Sequence, residues 1–212
     1  MRVIVLLFSL CMAVSVSALE LAPTAEEVHP LLPGMKVPGF SMKDVEGREI
    51  SINPEQLDRP IVLTFYRGGW CPYCNLHLAE LRNAENQLKD MGFDVWFVSA
   101  DRPEILYESL KEKVDYKIYS DASLEVASTF GIAFKLDEGT VERYQGYGLD
   151  LEKVSGESHH GLPVPATFIV GTDGIVQFQY TNPDYSVRLA PSILVAAAEA
   201  YQQNAHGRMK KK

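Results

Sequence analysis

The sequence predicts a single α/β domain in which helices flank a central mixed sheet. Apolar, β-branched runs of strand length alternate with segments of helical spacing through most of the chain. Two further runs, separated by Gly171-Thr172-Asp173-Gly174, predict an antiparallel hairpin near the C-terminus. The 212 residues are 46% hydrophobic and 23% charged, a composition typical of a globular chain that buries one core. Alternating elements followed by a hairpin favour one domain over separate units.

Residues 1–18 have the features of a secretory signal peptide. Arg2 precedes an apolar run that extends to Val16, and the small residues Ser17 and Ala18 end it. The run is short for a membrane span, and no basic cluster follows it. We therefore expect cleavage after Ala18, export to a bacterial periplasm and no stable membrane association afterwards.

The charge balance makes two classes of partner unfavourable. The net charge is −8, and loss of residues 1–18 would remove Arg2 without removing an acidic residue. An acidic exported domain is a poor ligand for nucleic acid or an anionic membrane, so we expect neither as a partner. The basic tail, residues 205–212, is interpreted as a solvated chain end.

An extended lead-in, residues 19–33, precedes the domain, which we expect to occupy residues 34–204. The predicted elements of its first half are a β-hairpin at 40–43 and 49–52, a buried strand at 61–66, a helix that ends near 89 before a glycine, and a second buried strand at 93–99. The sequence thus predicts an N-terminal β-hairpin beside the strands of the core.

The second half of the domain is less regular. Its predicted elements are a helix from 103 to about 113, a short strand at 117–119, a short helix at 123–130, hairpin strands at 165–170 and 175–180, and a helix from 191 to about 203. Residues 139–161 are rich in glycine, tyrosine and charge. Around Leu149–Val154 the sequence is compatible with two alternatives, a hairpin and a short helix.

Cys71 and Cys74 lie where the strand at 61–66 turns into the following helix, at its N-terminus. Residues three apart share one helix face, so the two sulfurs come within reach of a disulfide. The N-terminal N–H groups of a helix favour a thiolate. Cys71, at the open end of the turn, is therefore the predicted nucleophile, and Cys74, one turn further in, is the predicted resolving partner.

A purely structural disulfide fits these cysteines less well. After loss of residues 1–18, which contain Cys11, only Cys71 and Cys74 remain. Closing so short a loop would restrict the unfolded chain by only about 2 kcal/mol. In an exported chain, a disulfide that stabilises the fold is expected to join segments that are distant in the sequence. The pair is therefore interpreted as redox-active.

Three segments together resemble the thioredoxin-fold redoxins, most closely the alkyl hydroperoxide reductase / thiol-specific antioxidant family of peroxiredoxins and their relatives. These segments are Tyr66–Cys74, Ser120-Asp121 with Phe130-Gly131-Ile132, and Val164–Val170. The resemblance covers roughly residues 33–204. It implies a thioredoxin-like fold, a hydroperoxide substrate, an external dithiol reductant such as a thioredoxin-like protein, and no cofactor. It also implies that Pro165 is a cis-proline beside the cysteine pair.

The chain departs from that family at three positions. Peroxiredoxins carry a proline seven residues and a threonine or serine three residues before the attacking cysteine, where this chain has Thr64 and Gly68. They also carry an arginine at the approximate place of Pro165. We expect Arg67 or Arg188 to supply the missing positive charge.

The predicted substrate surface consists of Arg67, Trp70 and Pro165. Trp70 fits two interpretations equally, a wall of the substrate site or an aromatic that covers apolar core surface. Tyr144 and Tyr147, from the irregular segment, are further candidates for this face on composition alone.

Three other functions are compatible with parts of the sequence. A protein thiol–disulfide oxidoreductase would use the same two cysteines on a different substrate. A copper-binding protein would combine the two cysteines with His77 or with the pair His159-His160. A structural zinc site needs four protein ligands, and the sequence has no second cysteine pair to supply them. We therefore predict no metal. His77 is interpreted as an exposed helix residue and His159-His160 as a polar loop. An adaptor without redox activity would have no use for the cysteine pair.

Overall fold

The computed structural model describes residues 19–109 and 117–203. In chain order the strands are β1 (Phe40–Lys43), β2 (Glu49–Ile52), β3 (Ile61–Tyr66), β4 (Asp94–Ser99), β5 (Lys117–Ser120), β6 (Ala133–Lys135), β7 (Gly161–Pro163), β8 (Ala166–Val170) and β9 (Val176–Thr181). The helices are α1 (Pro72–Asp90), α2 (Pro103–Ser109), α3 (Glu125–Thr129), α4 (Glu138–Gly146), α5 (Leu151–Ser155) and α6 (Pro191–Gln202). None of the helices within these two ranges is long and apolar enough to cross a membrane.

Seven strands form one mixed sheet in the order β2-β1-β5-β4-β3-β8-β9. β3, β4 and β5 run parallel to one another, while β8 is antiparallel to β3 and to β9. β6 and β7 pair separately as a two-stranded sheet. The predicted central mixed sheet with an N-terminal hairpin, β1–β2, is therefore confirmed.

The central strand β3 is buried on both faces, which explains why it is apolar at almost every position. Leu63 and Phe65 point into one apolar layer, and Val62 and Tyr66 into the other. The first layer is centred on Phe130, whose ring lies 5.2 Å from that of Phe65. Because consecutive residues of a strand face opposite sides, a strand with two covered faces needs apolar residues at both parities.

The two cysteines belong to the second layer. There α1 and α6 pack on the sheet, and the buried residues include Leu81, Leu88 and Leu194. Leu81 and Leu88 are seven residues apart and lie on one face of α1. The apolar face of α1 thus fixes the helix on the sheet, and with it the turn that carries the cysteines.

The irregular segment contains two short helices and a strand. α4 begins after Asp137, whose Oδ1 atom accepts a hydrogen bond from the Thr140 backbone N–H at 2.9 Å. α5 begins after Asp150, which accepts from the Lys153 backbone N–H at 3.1 Å. The short helix around 149–154 is thus the alternative that forms, and the hairpin there is wrong.

The bounds of the other predicted elements differ from the observed ones by a few residues, and the structure also contains elements that were not predicted. The lead-in contains a 3-10 turn at Ala25–Glu27, and strands β6 and β7 were not predicted. The part of the predicted second helix beyond Ser109, the predicted signal peptide and the basic tail lie outside the described residues.

Candidate active site

The cysteine turn connects the end of β3 to the start of α1. Cys71 is the residue directly before the helix, and Cys74 lies in its first turn. Both side chains are free thiols and buried, and the two residues approach each other to 2.9 Å. The Cys71 carbonyl accepts hydrogen bonds from the backbone N–H groups of Cys74 and Asn75 at 3.0 and 3.1 Å. The turn therefore holds the two sulfurs together without help from a distant segment.

Gly68 explains one departure from the family pattern. Its φ of +147° lies in a region that side chains with a Cβ rarely adopt. A Cβ there would lie 2.3 Å from Trp70 Nε1 and 2.6 Å from Asp101 Oδ1. A threonine or serine at this position would therefore displace the indole or the carboxylate, so the turn needs glycine.

The pKa of Cys71 is lowered to about 6, mainly because the Cys74 thiol donates a hydrogen bond to its sulfur. Burial opposes this effect, while the backbone N–H of Cys74 and the positive charges of Arg67 and Arg188 add to it. With a pKa of about 6, Cys71 is mostly thiolate at neutral pH.

The pKa of Cys74 shifts in the opposite direction. It is raised because its thiol is the hydrogen-bond donor to Cys71, because it is buried, and because the Cys71 thiolate repels a second negative charge. Arg188 opposes the rise, and its Nη2 atom donates to Cys74 Sγ at 3.4 Å. The two thiols thus ionise in sequence, Cys71 first.

Arg67 lies within a cage of aromatic rings. Only 4% of its surface is exposed. Its guanidinium carbon lies 4.4 Å from the ring centroid of Tyr185, 5.3 Å from that of Trp70 and 5.6 Å from that of Tyr144. Nη2 donates a hydrogen bond to the Tyr144 hydroxyl. Because rings attract a cation through their π faces, this cage retains a buried positive charge beside the cysteine turn.

Arg188 is positioned by the segment that joins β9 to α6. Its Nε atom donates to the Tyr185 carbonyl at 2.8 Å. The next residue, Leu189, accepts a hydrogen bond from His77 Nε2 at 3.0 Å. His77 is only 5% exposed, so its interpretation as an exposed helix residue is wrong. Burial lowers the pKa of His77, and the neutral ring ties this segment to α1.

The Val164–Pro165 peptide bond is trans, because no peptide bond in residues 19–109 and 117–203 is cis. The predicted cis-proline is therefore wrong. The chain continues extended from β7 into β8: the Val164 N–H donates to the Ile132 carbonyl at 2.9 Å, and the Pro165 carbonyl accepts from Asn182 N–H at 3.3 Å. An extended connection between two strands accommodates an ordinary trans proline.

Arg67 and Pro165 lie together on a groove of about 790 Å³, which Tyr144, Tyr147 and Tyr185 also line. Trp70 lies on the other side of Arg67. Its ring centroid is 5.7 Å from that of Tyr144, and it borders a second, much smaller cavity. Of the predicted substrate residues, Pro165 thus borders the groove, Trp70 borders the smaller cavity and Arg67 borders both.

Asp101, the second residue after the end of β4, was not predicted from the sequence as part of the site. It is 1% exposed, and its Oδ2 atom accepts a hydrogen bond from the Gly69 N–H at 2.7 Å. Burial raises its pKa to about 6 despite this bond. The only available signal was its position, since the C-terminal ends of β3 and the parallel strand β4 meet at one edge of the sheet.

The histidines considered for copper are engaged elsewhere. His159 Nε2 donates to the Ala122 carbonyl at 2.8 Å, and His160 Nε2 lies 2.8 Å from Glu152 Oε1. Within the described part of the chain, no three His, Cys, Asp or Glu side chains are grouped to hold a metal ion.

Comparison with known proteins places this site in a family context. The model of the AhpC/TSA family matches residues 33–179. Peroxiredoxin Bcp of Escherichia coli K12 is 32% identical over 106 residues, which cover 50% of this chain and 67% of that protein. Peroxiredoxin Q from rice chloroplasts is 25% identical over 150 residues, covering 70% of this chain and 58% of that protein.

Solved structures give the same fold. Enterococcus faecalis AhpC superposes with a TM-score of 0.63 at 22% identity, covering 86% of this chain and 99% of that chain. Mycobacterium tuberculosis BcpB superposes with a TM-score of 0.62 at 20% identity, covering 80% and 97%. At these identities the likeness concerns the fold alone.

Proposed function

The chain belongs to the AhpC/TSA family and is a thiol-dependent oxidoreductase, and we propose that it is an exported peroxidase that reduces hydroperoxides through a cycle between a Cys71–Cys74 dithiol and disulfide. The observation that carries this proposal is the 2.9 Å approach of the two free cysteines at the start of α1, and the opposite pKa shifts of their thiols support it. Cys71 is the thiol whose pKa falls, to about 6, while that of Cys74 rises. One sulfur is thus a nucleophile at neutral pH, while its neighbour stays a protonated thiol until the first step is complete.

In the first step the Cys71 thiolate attacks the terminal oxygen of the hydroperoxide. The S–O bond forms as the O–O bond breaks, the sulfur becomes a sulfenic acid, and the alcohol leaves after taking up a proton. Arg67 and Arg188 supply positive charge where the family has an arginine at the approximate place of Pro165. Their charges stabilise both the thiolate and the negative charge that develops on the departing oxygen.

In the second step Cys74 attacks the sulfenic acid sulfur, and water leaves as the disulfide forms. The 2.9 Å approach of the two cysteines supports resolution within one chain, without rearrangement of a distant segment. An external dithiol, such as a thioredoxin-like protein, then returns both sulfurs to the thiol state by exchange.

The test follows peroxide consumption by the protein and by its Cys71→Ser variant, with dithiothreitol as reductant. We expect rapid turnover of hydrogen peroxide or of an organic hydroperoxide, and loss of that turnover in the variant. Turnover that persists in the Cys71→Ser variant would reject the assigned nucleophile.

A protein disulfide is the alternative substrate. Tyr73 and Leu76, on the first turn of α1 beside the cysteines, are 46% and 61% exposed, and such apolar residues fit contact with another protein. Reduction of a disulfide-bonded protein, measured beside peroxide turnover, separates the two functions. Slow peroxide turnover with rapid protein reduction would favour the alternative.

Export is proposed from the features of residues 1–18. Expression of the full chain in a Gram-negative host should give a periplasmic protein whose N-terminal residue is Leu19. A cytoplasmic product that retains Met1 or Arg2 would contradict both export and cleavage.

A further inference from the structure

α1 presents two polar side chains to the segment that joins β9 to α6, residues 182–190. Cys74 and His77 are three residues apart and buried, so they share one buried face of the helix. Arg188 Nη2 donates to Cys74 Sγ at 3.4 Å, and His77 Nε2 donates to the Leu189 carbonyl at 3.0 Å. Two consecutive residues of the segment therefore bond to this face of α1.

His77 is the donor in its contact, because a carbonyl oxygen only accepts hydrogen bonds. Burial lowers the pKa of His77 and the charge of Arg188 adds to this effect, while the hydrogen bond to Leu189 and the charge of Glu80 oppose it. The ring is therefore neutral at neutral pH, with its proton on Nε2. It bonds to Leu189 without placing a second positive charge beside Arg188.

The Arg188 guanidinium depends on the backbone of the segment for its position. Its Nε atom donates to the Tyr185 carbonyl at 2.8 Å, but this bond lies within the segment and moves with it. Nη1 is buried and has no hydrogen-bond partner among the residues that the structure describes. The contact with Cys74 therefore requires that the segment itself be fixed against α1.

Leu189 is the point at which the segment is fixed. Its side chain is buried in the same apolar layer as the cysteines. Apolar packing has no preferred direction, whereas a hydrogen bond sets the direction of the carbonyl that accepts it. The bond from His77 thus orients the chain one residue after Arg188.

On the basis of the proposed peroxidase cycle, we propose that His77 is a positioning residue for disulfide formation, because its hydrogen bond to the Leu189 carbonyl holds Arg188 against Cys74. In that step Cys74 loses its proton, and its thiolate attacks the sulfenic acid sulfur of Cys71. The S–S bond forms as the S–O bond breaks, and the departing hydroxide combines with a proton to give water. Arg188 favours the Cys74 thiolate through its positive charge, and His77 acts through Arg188.

The first measurement follows the Cys74 thiol directly and needs no peroxide. In the Cys71→Ser background, the NMR shift of an isotopically labelled Cys74 Cβ atom gives the pH at which this thiol ionises. His77→Leu removes the donor but suits an apolar helix face, and we expect it to raise the titration midpoint by roughly half to one pH unit. His77→Gln, whose amide nitrogen can take the place of Nε2, should restore the original midpoint.

A double-mutant cycle separates positioning from a general effect on packing. Arg188→Gln should raise the midpoint by itself, and His77→Leu added to it should raise the midpoint no further, because the group through which His77 acts is gone. Shifts that simply add would overturn the proposal, as would an unchanged midpoint in His77→Leu. If His77→Leu does not fold, His77→Asn replaces it with the same expected results, since its shorter amide does not reach the carbonyl.

The matched control is Gln202→Leu. Gln202, on α6, donates to the carbonyl of Met91 at the other end of α1, so this variant removes a side-chain bond to a carbonyl far from the cysteines. The midpoint of Cys74 should not move. A shift equal to that of His77→Leu would show that any loosening between α1 and α6 has this effect, and would overturn the specific role of His77.

The second measurement connects the contact to the reaction. After one equivalent of hydrogen peroxide, the sulfenic acid on Cys71 should persist roughly threefold to tenfold longer in His77→Leu than in the wild-type protein. An unchanged lifetime in a variant whose midpoint has moved would overturn the role in disulfide formation. A wild-type protein that forms no sulfenic acid on Cys71 would instead reject the peroxidase function, and the NMR cycle would still decide whether His77 positions Arg188.

Discussion

Arg188 donates a hydrogen bond to the sulfur of Cys74 at 3.4 Å, although the two residues are 114 positions apart in the chain. The contact brings a positive charge to the cysteine whose pKa is raised and whose proton must leave before the disulfide forms. Arg67, on the other side of the turn, lowers the pKa of Cys71. The charge of Arg188 also lowers the pKa of Cys71, so Arg188 acts on both thiols, whereas the charge of Arg67 acts on Cys71.

Arg188→Gln should slow formation of the disulfide more than oxidation of Cys71. Without this charge the pKa of Cys74 rises further, and a rise of about one pKa unit makes its thiolate about tenfold rarer. Sulfenic acid should accumulate on Cys71, and a dimedone-type reagent with mass spectrometry measures its lifetime. A lifetime equal to that of the wild-type protein would show that Arg188 has no part in resolution.

Arg67→Gln should raise the pKa of Cys71 by roughly one unit, because a nearby positive charge is lost from a buried site. From a starting pKa of about 6, the thiolate fraction at pH 6 falls from about a half to about a tenth. The pH dependence of iodoacetamide alkylation measures this shift. Arg59→Gln, an exposed arginine before the opposite end of β3, is the control and should leave the profile unchanged.

Cys71 should make the reduced protein more stable as pH rises. Its folded-state pKa of about 6 lies below the value of about 8.5 for an unfolded chain, so its contribution is complete above about pH 8.5 and is lost as pH falls through 6. The slope is at most about 1.4 kcal/mol per pH unit. Urea unfolding of the reduced wild-type protein and of Cys71→Ser should give free energies that diverge between about pH 6 and pH 8. Parallel curves would contradict a lowered pKa.

Gly68→Ala should destabilise the cysteine turn by roughly 1–3 kcal/mol, because it adds strain at φ +147° and places a methyl group 2.6 Å from Asp101 Oδ1. Gly146→Ala is the matched control. Nothing lies within 4 Å of its added Cβ, and it is helical, so it should be neutral or slightly stabilising. Unfolding free energies of the two variants would show whether the effect is specific to the turn.

Much of the fold could be predicted from local patterns. β1, β2 and β3 have the predicted bounds because alternating or continuous apolar runs depend only on which faces are covered. α1 could be placed because Leu81 and Leu88 recur at helical spacing and Gly92 follows its end. α4 was not predicted and α5 was one of two alternatives, because each of these helices is short and contains too few apolar residues to show a helical pattern.

Only those residues of the site that lie close together in the sequence could be predicted as neighbours. Cys71, Cys74 and Arg67 lie within eight residues of one another, so the strand-to-helix turn alone brings them together. Contacts over long separations, Arg188 with Cys74 and Asp101 with Gly69, depend on the packing of the sheet edge and of the segment before α6. The burial of His77 was missed for the same reason, whereas the cis bond expected at Pro165 followed from the family resemblance and not from a pattern in this sequence.

Single-oxidant trapping tests the central claim most directly. The reduced Cys74→Ser and Cys71→Ser variants each receive one equivalent of hydrogen peroxide together with a reagent that captures sulfenic acid, and mass spectrometry locates the adduct. We predict a rapid adduct on Cys71 in the first variant and none on Cys74 in the second. Rapid capture on Cys74 in the Cys71→Ser variant would reverse the assigned roles of the two cysteines and contradict the account.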